Sequence, residues 1–189
     1  MRKVIYSMGV SLDGFIEAPN RELDWSTPDE ELHRFWNDQA REMGTCLYGR
    51  RLYELMADYW PTADTNTSAP EHVVEFARIW RDMPKIVFST TLEKVNWNSR
   101  LVRDNIAEEV TKLKAQPGKD MDVGGPTLAS TFMRLGLIDE YRLVVHPVVL
   151  GGGTPFFPGL DNTISLRLAE TRTFGSGVVY LRYQRGPVR

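Results

Sequence analysis

Cysteine is almost missing from this sequence: Cys46 stands alone among 189 residues. One thiol closes no intrachain disulfide, so the fold rests on its apolar core, and the composition fits a reducing compartment, expected to be the cytoplasm. Histidine is scarce too. His33, His72 and His146 have no zinc-ligand spacing and one cysteine to join them, so no metal site is expected. An excess of one charge is also lacking, since 23 basic and 25 acidic residues leave a formal charge of −2. That balance gives no electrostatic footprint for nucleic acid or an anionic membrane as partner. No apolar run approaches the ~18 residues of a membrane span. Arg2 and Lys3 before the apolar residues 4–10 imitate a signal peptide, but Ser11-Leu12-Asp13-Gly14 follows without a small-residue cleavage site, so a first core strand is expected there. The signatures G-x-x-x-x-G-K-[ST], G-x-G-x-x-G and G-x-S-x-G are absent, which argues against a P-loop, a classical dinucleotide fingerprint and a hydrolase elbow.

Hydrophobic residues make up 42% and charged residues 25%, ordinary proportions for a globular protein. A chain of this length buries roughly 70% of its unfolded surface. No linker, repeat or composition shift divides it, so residues 1–189 are expected to form one domain. Strand-like and helix-like periodicities alternate along it. A helix is expected after Thr27 as N-cap, with Pro28 first and Glu30 completing a capping box; Leu32, Phe35, Trp36, Ala40 and Met43 form its apolar stripe, and Gly44 closes it. Residues 45–49 read as a short buried strand, followed directly by a helix from Arg50 with Leu52, Leu55 and Met56 facing the core. Capping pairs Ser68/Glu71 and Asn105/Glu108 announce helices on either side of a strand at 85–89, and Gly118 ends the second of these helices. Residues 121–123 lead into Gly124-Gly125-Pro126 and a further helix. After Asp139 the pattern turns to strands at 141–150, about 164–171 and 178–184, the last two joined as a hairpin by Gly175-Ser176-Gly177. This order predicts an α/β fold: a mostly parallel mixed sheet, covered by helices, with a C-terminal antiparallel hairpin.

Ligands of open α/β sheets bind at the C-terminal ends of strands, where helix N-termini present free N–H groups. Two junctions suit an anion. Tyr48-Gly49-Arg50-Arg51 sets two guanidinium groups on the first turn of a helix, where the dipole disfavours cations unless a ligand answers them; a solvated arginine pair is the plain alternative. Val123-Gly124-Gly125-Pro126-Thr127 combines a close backbone approach with proline at a first helical position, and taken alone it also reads as an ordinary strand–helix turn. Gly151-Gly152-Gly153 is either a phosphate cradle or a flexible loop.

Five segments in order, residues 6–16, 49–51, 86–90, 123–125 and 148–154, give the chain a resemblance to the dihydrofolate reductase-like superfamily. Within it the chain resembles the branch holding the C-terminal reductase domain of bifunctional riboflavin deaminase-reductases. The resemblance implies a three-layer α-β-α dihydrofolate reductase-like fold, NADPH as cofactor, a small-molecule substrate and a homodimer. It places Gly49, Arg50 and Arg51 on the cofactor phosphates, and Ser89 and Thr90 at the adenosine 2′-phosphate. Gly124 and Gly125, followed by Pro126 and Thr127, fall beside the pyrophosphate and nicotinamide, and Val10 and Ile16 on the strand and loop that cover the nicotinamide. An acidic residue at the first core helix anchors the substrate in dihydrofolate reductases. The nearest candidates are Asp29 and Glu30, of which Glu30 is taken as a catalytic candidate although it also suits the Thr27 capping box. Asp13 is a second catalytic candidate, with a turn-forming Asp-Gly as the plainer role. The folate family's threonine on the strand after the Gly-Gly helix falls at Val144 and its tyrosine near the nicotinamide at Ala129, and the H-x-E and P-C-x-x-C deaminase signature does not occur in the chain.

The function expected from this resemblance is NADPH-dependent reduction of a small substrate, similar to 5-amino-6-(5-phosphoribosylamino)uracil reduction in riboflavin biosynthesis. Reduction of a dihydrofolate or pterin, and a non-catalytic NADPH-binding module, are the alternatives.

Overall fold

The computed structural model describes residues 1–186; the last three residues of the expected 1–189 domain lie outside the described residues. Strand β1 (Val4–Ser11) lies at the centre of an eight-stranded sheet. Its alternation decides its two faces: Val4, Tyr6 and Val10 enter one apolar cluster and Ile5 another. Strands β3 (Thr45–Gly49), β4 (Lys85–Phe88), β5 (Ser99–Val102), β6 (Met121–Gly124) and β7 (Glu140–His146) run parallel to it. Strands β9 (Leu166–Thr173) and β10 (Val179–Arg185) form the C-terminal hairpin, giving the order β5-β4-β3-β6-β1-β7-β10-β9 with β10 antiparallel to both neighbours. The hairpin turns at 175–177 as expected, closed by the Phe174 N–H on the Val178 carbonyl.

Helices α1 (Glu30–Glu42), α2 (Arg50–Tyr59) and α3 (Glu71–Asp82) contribute to the clusters on one face of the sheet. Helices α4 (Ile106–Ala115) and α5 (Pro126–Arg134) contribute Val110, Leu113, Leu128 and Phe132 to the cluster on the other. A small second sheet pairs β2 (Phe15–Glu17) with β8 (Thr154–Pro155), holding the segment after β1 against the glycine-rich segment 151–153.

Several boundaries differ from the sequence expectation. Asp29, not Thr27, caps α1, its Oδ1 accepting the Leu32 N–H at 2.8 Å. The Thr27 hydroxyl is spent on the Asp24 carbonyl at 3.0 Å, at the end of a 3-10 turn over Asp24–Ser26, so Glu30 completes no capping box with it. Helix α3 starts after Pro70 with no side-chain cap, because Ser68 instead turns back on Asn66 through its N–H. Asn105 does precede α4, but in the left-handed region with its amide on Asp104, not on the helix. Helices α1 and α4 stop at Glu42 and Ala115, before Gly44 and Gly118. Strand β7 ends at His146, where Pro147 removes the next donor. Leu55, expected in the core, is exposed.

Candidate active site

The C-terminal ends of β1, β3, β4, β5 and β6 open onto a cleft of about 620 Å3. Strand β3 delivers Gly49 and then Arg50 and Arg51; β4 delivers Ser89, Thr90 and Thr91; β6 delivers Gly125, Pro126 and Thr127; and the β2 segment adds Ile16 and Glu17. Of the eleven residues the family resemblance assigned to the cofactor, all but Val10 and Gly124 line this one cleft. Val10 is buried in the core behind it. Gly124 lies in the wall of a second cavity of about 290 Å3, on the face of the sheet under α1 and α3. The two spaces share Met8 and Leu52 as lining, and Gly124-Gly125 carries the chain from one to the other.

The electrostatics of the cleft are positive and partly self-paired. Arg50 donates to Thr91 Oγ1 at 2.9 Å and to Glu54 at 3.2 Å, which holds its guanidinium over the turn after β4. That turn is closed by Ser89 Oγ, which accepts the N–H groups of Thr91 and Leu92. Arg51 makes a two-pronged pair with Glu17, both contacts at 2.9 Å. Both guanidinium groups that the sequence offers to an anion are therefore partly engaged, Arg50 by Glu54 and Thr91 and Arg51 by a carboxylate from β2. Burial raises the Glu17 carboxyl, but hydrogen bonds from Arg51 and Thr154 outweigh it and leave it below the usual range.

The residues fit a dinucleotide phosphate. Helices α2 and α5 both begin at this cleft behind a glycine, Gly49 and Gly125, with no side chain capping either end, so their first N–H groups are left for a ligand. Gly125 holds φ +95°, a conformation that a larger residue resists. At Gly124 a Cβ would fall 2.5 Å from Leu52 Cδ2 and 3.1 Å from the Tyr48 ring, so the narrow wall between the two spaces depends on its absence.

The two catalytic candidates from the sequence stand elsewhere. Asp13 lies outside both spaces: its Oδ1 accepts from Ser11 Oγ at 2.7 Å and the Leu150 N–H at 3.0 Å, and its Oδ2 the Gly151 N–H at 2.7 Å. The Ser11 hydrogen bond, then the loop amides, hold its carboxyl below the ordinary range, so it clamps two loops as a permanent anion. Glu30 points to solvent on the first turn of α1 and pairs with Arg34 at 3.0 Å. Neither meets the cleft or the cavity.

Other lining residues had no place in the sequence expectation. Arg103 and Thr91 extend the cleft's polar end, and Ser7, Gln39 and Asp122 line the smaller cavity. For Asp122 a signal existed: a charge between Met121 and Val123 in a strand whose neighbours are apolar on both faces. Burial pushes its carboxyl up to about 7, with Arg142 pulling it back. His146 is lowered by burial and stands edge-on to Trp25 at 5.5 Å, a packed and neutral ring.

Comparison with known proteins agrees with this architecture. Residues 2–180 match the family described as RibD C-terminal domain. "Uncharacterized protein YyaP" of Bacillus subtilis (strain 168) is 41% identical over 183 residues, covering 96% of this chain and 94% of that protein. Among solved structures, a candidate riboflavin biosynthesis protein from Shewanella sp. PV-4 superposes with a TM-score of 0.75 at 20% identity, covering 99% of this chain and 100% of that one. Dihydrofolate reductase from Enterococcus faecalis, solved with NADP(H), superposes with a TM-score of 0.66 at 14% identity, covering 98% and 97%. With a family match over nearly its whole length and a relative at this identity, the chain belongs to the RibD C-terminal domain family and has the dihydrofolate reductase-like α/β fold.

Proposed function

We propose that this protein is an NADPH-dependent reductase that holds the dinucleotide in the larger cleft and a small-molecule substrate in the smaller cavity. The observation that carries it is the junction: the two spaces adjoin at Met8, Leu52 and Gly124-Gly125, so a ring at the end of the cleft faces whatever fills the cavity. When bound, NADPH supplies a hydride; the protein's part is to hold donor and acceptor in register and to exclude water. Arg50, Ser89, Thr90 and Thr91 offer the donors for a phosphate at one end. The uncapped starts of α2 and α5 offer backbone N–H groups for the pyrophosphate. Reduction of a phosphoribosylated uracil, as in riboflavin biosynthesis, is the second reading, and the lack of a spare cation in the smaller cavity weighs against it.

Replacing Arg50 and Arg51 together by Ala should weaken NADPH binding by about tenfold or more, a loss of ~1.4 kcal/mol or more. Calorimetric titration checks it, and an unchanged isotherm rejects the placement of the phosphates. NADPH that binds but is not consumed with any carbonyl, imine or pyrimidine acceptor would favour a binding module over an enzyme.

A further inference from the structure

The smaller cavity contains a carboxyl that nothing in the fold uses. Its floor is one face of the sheet, where the strand register sets Cys46, Asp122 and Ile5 side by side, with Tyr48 and Gly124 one pleat nearer the cleft. Helices α1 and α3 cover it with Trp36, Phe76 and Trp80, so the surroundings are apolar. Apart from Asp122, Arg142 is the one charged residue in the lining, and it is committed to Glu140, Gln39 and Glu42. Among the described residues no donor hydrogen-bonds to the Asp122 carboxyl. The Ser7 hydroxyl, in the same lining, is buried without a partner. Withdrawing the Ser7 hydroxyl from water with nothing to bond, and half-burying the Asp122 carboxyl beside it without a donor, costs free energy, and a ligand that supplies the partners accounts for it.

We propose that the Asp122 carboxyl donates a hydrogen bond, and in the reaction its proton, to an uncharged planar ligand carrying a ring nitrogen or carbonyl acceptor, with Ser7 Oγ completing the polar edge. The chemistry rests on the reductase function proposed above. As hydride from NADPH reaches the carbon of a C=N or C=O bond, the π pair moves to the heteroatom, which takes the Asp122 proton. The nicotinamide leaves oxidised, and the carboxylate regains a proton from water at the cavity mouth. A carboxyl raised to about 7 by burial still holds that proton near neutrality, where an ordinary aspartate near 3.9 has lost it. The titratable groups facing it are Cys46 and Tyr48 of β3, both pushed up by burial and so uncharged, and Arg142 of β7 with its Glu140 partner. The parts of α1, α2 and α3 that line the cavity carry no charge. With Arg142 committed, a phosphate finds no spare cation there, which selects for phosphate-free ligands.

The test uses the intact chain, quinazolin-4-one as the neutral probe and uridine 5′-monophosphate as the phosphate-bearing one. Tryptophan fluorescence reads occupancy, since Trp36 and Trp80 line the cavity, and calorimetry reads affinity. The wild-type protein should bind quinazolin-4-one about tenfold or more tightly at pH 6 than at pH 8.5, and bind the nucleotide about tenfold or more weakly than that at pH 6. Asp122→Asn should remove the pH dependence, while Ser7→Ala should weaken binding and keep it. Failure to bind quinazolin-4-one, a flat wild-type profile, or equal affinity for the nucleotide overturns the proposal. NADPH affinity, measured on the same samples, should be unchanged by Asp122→Asn. If NADPH binds none of them, the reductase function fails instead, and the pH dependence of probe binding still decides the role of Asp122 by itself.

Discussion

Single residues explain why the glycine-rich segment after β7 is glycine-rich. Gly151-Gly152-Gly153 read in the sequence as a phosphate cradle or a loose loop, and it lines neither the cleft nor the smaller cavity. Gly153 passes so close to β2 that a Cβ would fall 2.0 Å from the Glu17 carbonyl oxygen, and its φ is +125°. The next residue, Thr154, donates to Glu17 Oε1 at 2.8 Å, so the same crossing fixes the carboxylate that holds Arg51. Gly153→Ala should therefore cost more than about 2 kcal/mol, because backbone and not a side-chain end must give way. Urea unfolding measures this; a midpoint within error of the wild type would mean the crossing is soft. None of this closeness was legible in the sequence, since Glu17 and Gly153 meet only through the pairing of β2 with β8. The Arg50-Arg51 pair was legible as a candidate anion site, because two cations on a first helical turn conflict with the helix dipole and so ask for a ligand. The arrest of Arg51 by Glu17 was not, for the same reason as Gly153: the partner arrives from another strand.

At the scale of elements, apolar patterning foretold the strands that face the core and missed β5 at one edge of the sheet. Strands β1, β3, β4 and β6 were legible because each alternates or runs apolar over a core-facing stretch, and the hairpin because Gly175-Ser176-Gly177 marks its turn. Strand β5, with the sequence Ser-Arg-Leu-Val, lies at the sheet edge and buries only Val102, so its pattern carried no signal. Helix starts were less legible because several polar residues compete to cap one end. Thr27 and Asp29 both qualify for α1, and the 3-10 turn at Asp24–Ser26 settles the competition by taking the Thr27 hydroxyl. This makes a paired prediction. Asp29→Ala should destabilise the protein by about 1 kcal/mol through loss of the Leu32 cap, while Thr27→Ala should stay within about 0.5 kcal/mol. Thermal melts of the two variants side by side separate them, and a larger loss at Thr27 would restore the capping box that the sequence predicts.

Over the whole molecule, the half-buried Asp122 and the buried Lys85 shape how stability depends on pH. Asp122 is raised from 3.8 to about 7 by burial, opposed by Arg142. The native state therefore binds a proton that the unfolded chain has released between about pH 4 and 7, and stability from this group falls as pH rises through that window. Lys85 is the reverse case. It is buried, its Nζ donates to the carbonyls of Met83 and Trp97 at 2.8 Å and stands 4.0 Å over the Trp80 ring, and burial lowers it from 10.5 to about 8. Between about pH 8 and 10.5 the unfolded chain holds the extra proton, so stability from this group rises with pH and is lost as pH falls through 8. The two contributions leave a shared minimum near pH 7–8, each of order a few kcal/mol at about 1.4 kcal/mol per pH unit of displacement. Asp122→Asn removes the first: its melting temperature, relative to wild type, should climb from pH 5 to pH 7.5 and then level. Lys85→Met should gain on the wild type as pH falls from 10 to 8 and hold level below that. A wild-type-minus-variant difference that is flat over either window would show that the group in question titrates alike in the folded and unfolded chain. For Asp122 that outcome would also remove the proton that the cavity is proposed to use, so the stability curve and the ligand titration test one carboxyl from two directions.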